Sequence, residues 1–414
     1  MRLMGVASIA LALALTLVIS GFDTAVTAQP FAGRSQDGDR RSGRDIFRFD
    51  TFGDEQLWTD VLRMHEVIAG IDPATALGVG LKVDVEALPA RVAAALRAGQ
   101  VDLTNPAVTV ELIRLNAVVG VKGAVDTTGR LTSVGITCAL CHSTVDNSLT
   151  AGIGRRLDGW ANTDLNVGAI VALSPSPLFD DQMRREFNDW GPGKYDPRHH
   201  AFDGITIRLL NPLEPSVPIV IPPIYGLKGV GFETFTGDGP ISYWNSYVGV
   251  GQMGGQGSFS DPRIGLFITQ SPDLVTPQLP ALLDYQLFLK TPEPPRNSFD
   301  RAAATRGESL FRNQARCATC HLGQTFTDVL SGPNPTIPFL HDPAEVGTDP
   351  RYALRSATER YRTTPLRALW QHPPYFHDGS ARDLPAVVNH YDRQFDLKLT
   401  PAQKADLVEF LKSI

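Results

Sequence analysis

The chain is poor in cysteine: four in 414 residues, too few to staple a fold of this size through disulfides. It is also short of aromatic residues, at 8%, and carries no run of lysine and arginine; its 38 basic and 44 acidic side chains leave a formal charge of −6. A mildly acidic chain without a basic patch suits nucleic acid badly, so no nucleic-acid partner is expected. Residues 51 to 125 contain no phosphate-cradling glycine loop, and no methionine follows Met253. The apolar run at residues 6–19 is 14 residues long, short of the ~20 that cross a bilayer, and no other stretch comes near that length. Glycine and proline, in contrast, are plentiful at 37 and 31, which predicts long, shaped loops. With 43% hydrophobic and 20% charged residues the chain is globular rather than disordered, and its length allows two or three domains.

Residues 1–28 read as a secretory signal: Arg2 supplies the positive start, and Val26-Thr27-Ala28 offers a small-residue cleavage site before Gln29. An exported, periplasmic protein with no membrane span in its mature form is expected. Residues 29–46 are polar and read as a flexible leader. From residue 51 to about 125 the pattern is helical, with Leu57, Val61, Leu62 and Val67 and then Leu88, Val92 and Leu96 at helical spacing. Asn105 before Pro106 marks a further helix start. A helical extension over 47–130 follows, then a first domain over 131–290. Residues 291–299 hold three prolines in four positions and read as a linker, and a second domain fills 300–414. Helices are expected over 301–313 and after the capping box Thr400-Pro401-Ala402-Gln403. Strand signals are sparse, residues 219–221 being the best, so the class is mainly α with long irregular loops.

All four cysteines fall in two pentapeptides, Cys138-Ala-Leu-Cys141-His142 and Cys317-Ala-Thr-Cys320-His321. In C-x-x-C-H the two thiols can each add to one vinyl group of a single haem, and the adjacent histidine then stands beneath the iron as an axial ligand. Zinc prefers paired C-x-x-C units ~15–20 residues apart, and a dithiol redox pair does not need the histidine. Two covalently bound c-type haems are expected, with Cys138, Cys141, Cys317 and Cys320 as anchors and His142 and His321 as iron ligands. An open iron binds and activates small molecules, whereas a six-coordinate one mostly passes electrons, so the group opposite each histidine decides the function. For the second haem the residues after His321 offer His341, His372, His377, His390, Tyr361, Tyr375 and Tyr391.

The stretch Thr364-Pro-Leu-Arg-Ala-Leu369, then Pro374-Tyr-Phe-His-Asp-Gly-Ser380 and the helix that follows, resembles the carboxy-terminal signature of bacterial dihaem cytochrome c peroxidases, a superfamily that includes MauG-like enzymes and, more distantly, rubber oxygenases. Arg306-Gly-Glu-Ser-Leu-Phe311 is similar to the first helix of a cytochrome c domain. The specific match covers roughly 301–414. It implies two cytochrome c-like haem domains, and counting from His377 in the family's register lands on Tyr391, with His390 one position earlier. Adjacent helical residues point about 100° apart, so one of the two reaches the metal and the register favours Tyr391. His377 is expected to hold its turn or a haem propionate. The resemblance also implies a calcium ion between the domains, near the carbonyls of His372 and Pro374, with Asn166 as a third ligand.

Pro223-Ile-Tyr-Gly-Leu227 and Gly237-Asp-Gly239 echo the second-domain signature, and aligning Gly239 with Gly379 sets Val250 and Gly251 where His390 and Tyr391 stand. Neither can ligate iron, so an open first haem is expected, with Met253, Met183, His199 and His200 as alternatives; the histidine pair reads as solvated surface. Glu186, Glu214, Glu233 and Gln252 are candidates for a distal acid or base. Trp160, Trp190 and Trp244 are candidates for an electron relay, or for packing on a porphyrin. The function expected is electron transfer supporting peroxidase-type chemistry, with a small-molecule oxidant such as hydrogen peroxide and a redox partner protein. A pure electron carrier and a rubber-oxygenase-like dioxygenase, built on the long insert between His142 and Pro223, are the alternatives.

Overall fold

The computed structural model describes residues 36–202, 207–210, 215–329 and 340–414. The signal over 1–28, the first part of the expected leader and Glu214 lie outside these residues. Helices carry the fold, and the strands among the described residues pair only into seven two-stranded ladders. The predicted strand forms as Ile219–Val220, antiparallel to Lys194–Tyr195. No helix among the described residues is long and apolar enough to cross a membrane.

The later part of the leader expected to be flexible is a helix, Gln36–Phe49. It packs along helix Leu279–Phe288. Gly43 makes the approach possible, since a Cβ there would lie 1.9 Å from the Ala281 carbonyl oxygen. Ile46 and Phe47 then enter the core. A contact made by one glycine and two apolar residues leaves the segment polar in composition, which is why it reads as a leader.

The helical reading of 51–125 is correct in kind but not in continuity. Short helices at Met64–Ile68, Pro73–Gly78, Ala90–Arg97 and Pro106–Arg114 follow a wide turn at Gln56–Val61. Arg63 adopts a left-handed conformation, which interrupts the apolar periodicity between Leu62 and Val67. The segment closes on a hairpin, Val121–Val125 against Leu131–Ile136. The boundary expected between 130 and 131 therefore cuts through that hairpin's turn, where Asp126 Oδ1 accepts the Thr128 and Arg130 amides at 2.9 and 3.0 Å.

In the last hundred residues, helices Arg301–Arg312 and Pro401–Lys412 cross closely. The capping box is formed in full, the Thr400 hydroxyl accepting the Gln403 amide and the Gln403 side chain accepting the Thr400 amide. At the crossing a Cβ on Gly307 would sit 2.0 Å from the Asp406 carbonyl oxygen, so only glycine fits. Phe311, Leu384, Val388, Leu407, Phe410 and Leu411 form the core beneath. Residues 289–300 carry no helix or strand.

Candidate functional site

Each Cys-x-x-Cys-His segment presents its histidine in the same way from a different local structure. In the first, Cys138 leads into the short helix Ala139–His142, and His142 Nδ1 lies 3.0 Å from the Pro222 carbonyl oxygen, 80 residues away. In the second, His321 Nδ1 lies 2.8 Å from the Phe326 carbonyl oxygen, five residues away. A carbonyl only accepts, so Nδ1 carries the proton in both and Nε2 is left with a free lone pair. Burial keeps both rings neutral, pushing His142 down to about 4 and lowering His321. It also raises the thiols of Cys138 and Cys141 to about 12 and that of Cys317 to about 11. The four cysteines form no disulfide.

The second motif opens onto a cavity of about 540 Å³. Cys317, Cys320, His321 and Tyr391 all stand on its wall. Leu366, Leu384, Val388, Leu399, Leu407 and Leu411 supply its apolar part. Helix Leu384–Gln394, capped by Asp383 through the Ala386 amide, carries both Tyr391 and His390 but turns them apart. Tyr391 faces the cavity, and burial lifts its hydroxyl to about 12, the thiols of Cys317 and Cys320 adding to the effect. His390 is not on that wall; its Nε2 lies 2.8 Å from the Val346 carbonyl oxygen.

The first motif sits in apolar packing rather than on that cavity: Cys141 packs against one core and Cys138 against its neighbour. Val250, Gly251 and Met253 are buried, with Val250 and Met253 in the core that Cys138 touches. His199 and His200, expected at the surface, are 3% and 1% exposed. His199 Nε2 pairs with Glu186 Oε1 at 2.9 Å, and both ring nitrogens of His200 lack a hydrogen bond among the described residues. The loop carrying them folds inward, where Phe187 and Trp190 pack at a tilt against the His200 ring, with centroids 5.0 and 6.4 Å away.

The acid and base candidates separate. Gln252 accepts from the Tyr195 hydroxyl and donates to the His200 carbonyl at 2.9 Å and the Tyr247 hydroxyl at 3.1 Å, so its amide is fully engaged. Glu233, expected with the first motif, stands instead on the cavity of the second, where Arg362 Nη2 meets Glu233 Oε2 at 3.1 Å. Trp190 donates to Ser216 Oγ and Trp244 to the Glu233 carbonyl. Trp160 bridges Tyr225 and Trp370 in edge-to-face contacts, at 6.5 and 5.6 Å between centroids.

His377 closes its turn, with Nε2 3.0 Å from the Tyr361 hydroxyl and its carbonyl accepting the Val220 amide at 2.8 Å. His341 and His372 also line the cavity, His341 between Glu345 and Thr363 and His372 with Nε2 3.3 Å from the Arg367 carbonyl oxygen. Asn166, expected as a calcium ligand, uses its side-chain oxygen to cap helix Val167–Ala172 by accepting the Ala169 amide at 3.0 Å. Sequence reasoning misses Trp370 and Arg367. Neither belongs to a periodic or metal-ligand pattern; Arg367 lies inside the Thr364–Leu369 signature and Trp370 directly follows it, but the signature assigns no role to either.

The residues fit a covalently held haem on the chemistry of the donor set: two thiols and an imidazole with a free Nε2 at each motif, and at the second an amphipathic cavity with a phenol on its wall.

No family model matches the chain. Among curated proteins it is 32% identical over 162 residues to the methylamine utilization protein MauG of Methylorubrum extorquens, covering 32% of this chain and 42% of that protein. It is 28% identical over 134 residues to MauG of Methylophilus methylotrophus, covering 27% and 36%. The match thus spans less than half the length of either relative. Solved structures that share similarity include a hydrazine synthase of Kuenenia stuttgartiensis, at 21% identity and a TM-score of 0.33 over 48% of this chain and 72% of that one. A MauG-like protein associated with microbial copper homeostasis gives 19% and 0.35 over 48% and 73%.

Proposed function

The chain belongs to the MauG-like dihaem cytochrome c peroxidase superfamily, and from that premise we propose that it is an exported oxidoreductase holding one c-type haem at each motif and carrying out peroxidase-type chemistry. Bound there, the two haems supply redox-active irons. The chain's own part follows from its geometry. Cys138 and Cys141, and Cys317 and Cys320, anchor the groups, while the Pro222 and Phe326 carbonyls fix the tautomer and direction of His142 and His321.

The observation that carries this reading is the shared wall of Cys317, Cys320, His321 and Tyr391 on a single large cavity. Tyr391 would then offer its hydroxyl oxygen to the second iron when the haem is bound, and that site would be the electron-supplying one. Val250 and Gly251 offer no ligand to the first iron, so that site is the open, reactive one, taking a small oxidant such as hydrogen peroxide, with electrons supplied by a redox partner protein. Residues 300–414 would form the second haem domain, and the described chain before residue 291, continuous through the hairpin Val121–Val125 with Leu131–Ile136, the first.

A second reading, a pure electron carrier, is favoured by one observation: Met253 is buried in the core that Cys138 packs against. Low-temperature EPR of the ferric holoprotein, before and after hydrogen peroxide, separates the two. One high-spin and one low-spin iron, with the high-spin signal absent from a Cys138→Ser/Cys141→Ser variant and altered by peroxide, supports the enzyme. Two low-spin irons with no response to peroxide reject it.

A further inference from the structure

Three arginines and His341 stand on the cavity wall, and three of these four groups are already answered. Arg316 is exposed to solvent. His341 has Glu345 Oε1 at 3.1 Å and Asp328 Oδ2 at 3.5 Å. Arg362 is paired with Glu233, and its other nitrogens donate to the Thr234 and Phe232 carbonyls. Arg367 differs. Its Nη1 donates to the Tyr225 carbonyl at 3.1 Å, but its Nε is buried without a partner, and no carboxylate among the described residues forms an ion pair with it. Gly226 leaves room for it, since a Cβ there would meet Arg367 Cδ at 2.8 Å.

A guanidinium with a buried, unpartnered Nε and no anion is costly, and desolvation lowers its pKa to about 10 in spite of Glu233. Glu233 does not answer it, because that carboxylate is paired with Arg362. The missing partner therefore arrives with whatever fills the cavity. A haem brings two carboxylates, and an arginine fork matches a carboxylate with two parallel donors.

We propose that Arg367 receives a propionate carboxylate of the group anchored at Cys317 and Cys320, and through its charge raises the reduction potential of that iron. This assignment rests on the proposed function. Arg367 is a positioning residue: it touches neither the iron nor a substrate, and its charge acts on the metal at a distance. A cation about 10 Å from an iron, at the effective dielectric of a protein interior, shifts the reduced-to-oxidised ratio by roughly tenfold.

The test uses the full holoprotein and the variants Arg367→Gln and Arg367→Lys, with peptide mass spectrometry for haem on Cys317 and Cys320 and spectroelectrochemical titration of the low-spin iron. Haem attached in all three proteins, a potential lowered in Arg367→Gln by the equivalent of about tenfold in that ratio, and a potential held near wild type in Arg367→Lys support the assignment. Equal shifts in the two variants, or none in Arg367→Gln, overturn it, since a purely structural role does not distinguish the charges. A wild-type potential that moves with added acetate, in a manner lost in Arg367→Gln, also overturns it by showing that a free carboxylate occupies the arginine. Absence of haem from wild-type Cys317 and Cys320 rejects the proposed function itself, an outcome separate from all of these.

Discussion

Pro222 holds the His142 ring, its carbonyl oxygen 3.0 Å from Nδ1, and the same proline stands on the wall of the cavity that opens from Cys317 and Cys320. One residue thus serves both motifs, although 175 residues separate Cys141 from Cys317. The neighbouring contacts reinforce the link. The Val220 amide donates to the His377 carbonyl at 2.8 Å, and the Ile221 amide donates to the Gly193 carbonyl at 2.8 Å, so the segment before Pro222 is tied to both halves of the chain. A single peptide unit therefore lies between the cavity wall and the imidazole of the first motif.

The first prediction concerns Tyr391 and His390. Of the two, only Tyr391 stands on the cavity wall, so Tyr391→Phe should remove the oxygen ligand proposed for the second iron and change that iron's EPR signal. His390→Gln leaves that signal in place, since the ring is turned to the Val346 carbonyl. A low-spin signal lost in His390→Gln and retained in Tyr391→Phe reverses the assignment.

How far such features are legible in the sequence varies with the kind of interaction. The two motifs, the capping box at Thr400 and the boundaries of helix Arg301–Arg312 depend on residues close in sequence, and there local chemistry suffices. Helix Gln36–Phe49 escapes such a reading because its burial rests on a close approach at Gly43, which no hydrophobic period reports. His199 and His200 read as surface because their loop contains charged and proline residues, yet partners from helix Asp181–Asp189 and Trp190 draw them inside. Arg367 is invisible as a site for a related reason. Its distinguishing property is a partner it lacks, and that is decided by residues far away in sequence, Tyr225 standing 142 positions before it.

Gly307 gives a prediction on packing. With only 2.0 Å between an added Cβ and the Asp406 carbonyl oxygen, Gly307→Val forces helices Arg301–Arg312 and Pro401–Lys412 apart. A loss of about 1–3 kcal/mol in chemical denaturation is expected, as for overpacked cores. As a control, Gly78→Ala, with nothing within 4 Å of the added carbon, should change stability little.

Asp158 joins three elements near the first motif. It accepts from Arg48 Nε at 2.6 Å, Ser143 Oγ at 2.8 Å and the Tyr285 hydroxyl at 2.5 Å. Arg48 lies on the amino-terminal helix and Ser143 directly follows His142, so the carboxylate fastens that helix to the motif. Asp158→Ala leaves all three donors without it and is expected to cost about 2–4 kcal/mol. Asp158→Asn, which keeps an accepting oxygen, should cost less. Equal unfolding midpoints for wild type and Asp158→Ala would reject the role.

Asp54 supplies a prediction on pH. Its side chain is fully buried, and burial with the neighbouring Glu55 charge raises its pKa well above the ordinary carboxylate value, against the opposing hydrogen bond from the Ile136 amide. The folded state therefore binds this proton more tightly than the unfolded chain, whose aspartates titrate near ~3.9. The group's contribution to stability is complete below that unfolded value and is lost as pH rises through the folded one. Asp54→Asn keeps an oxygen for the Ile136 amide but does not titrate. Its stability relative to wild type should therefore be lowest in acid and climb as pH increases, making the variant the more stable protein in mild alkali. Urea midpoints of the two proteins across a pH series measure this difference directly, and a difference that stays constant with pH shows that Asp54 is ionised at no special cost.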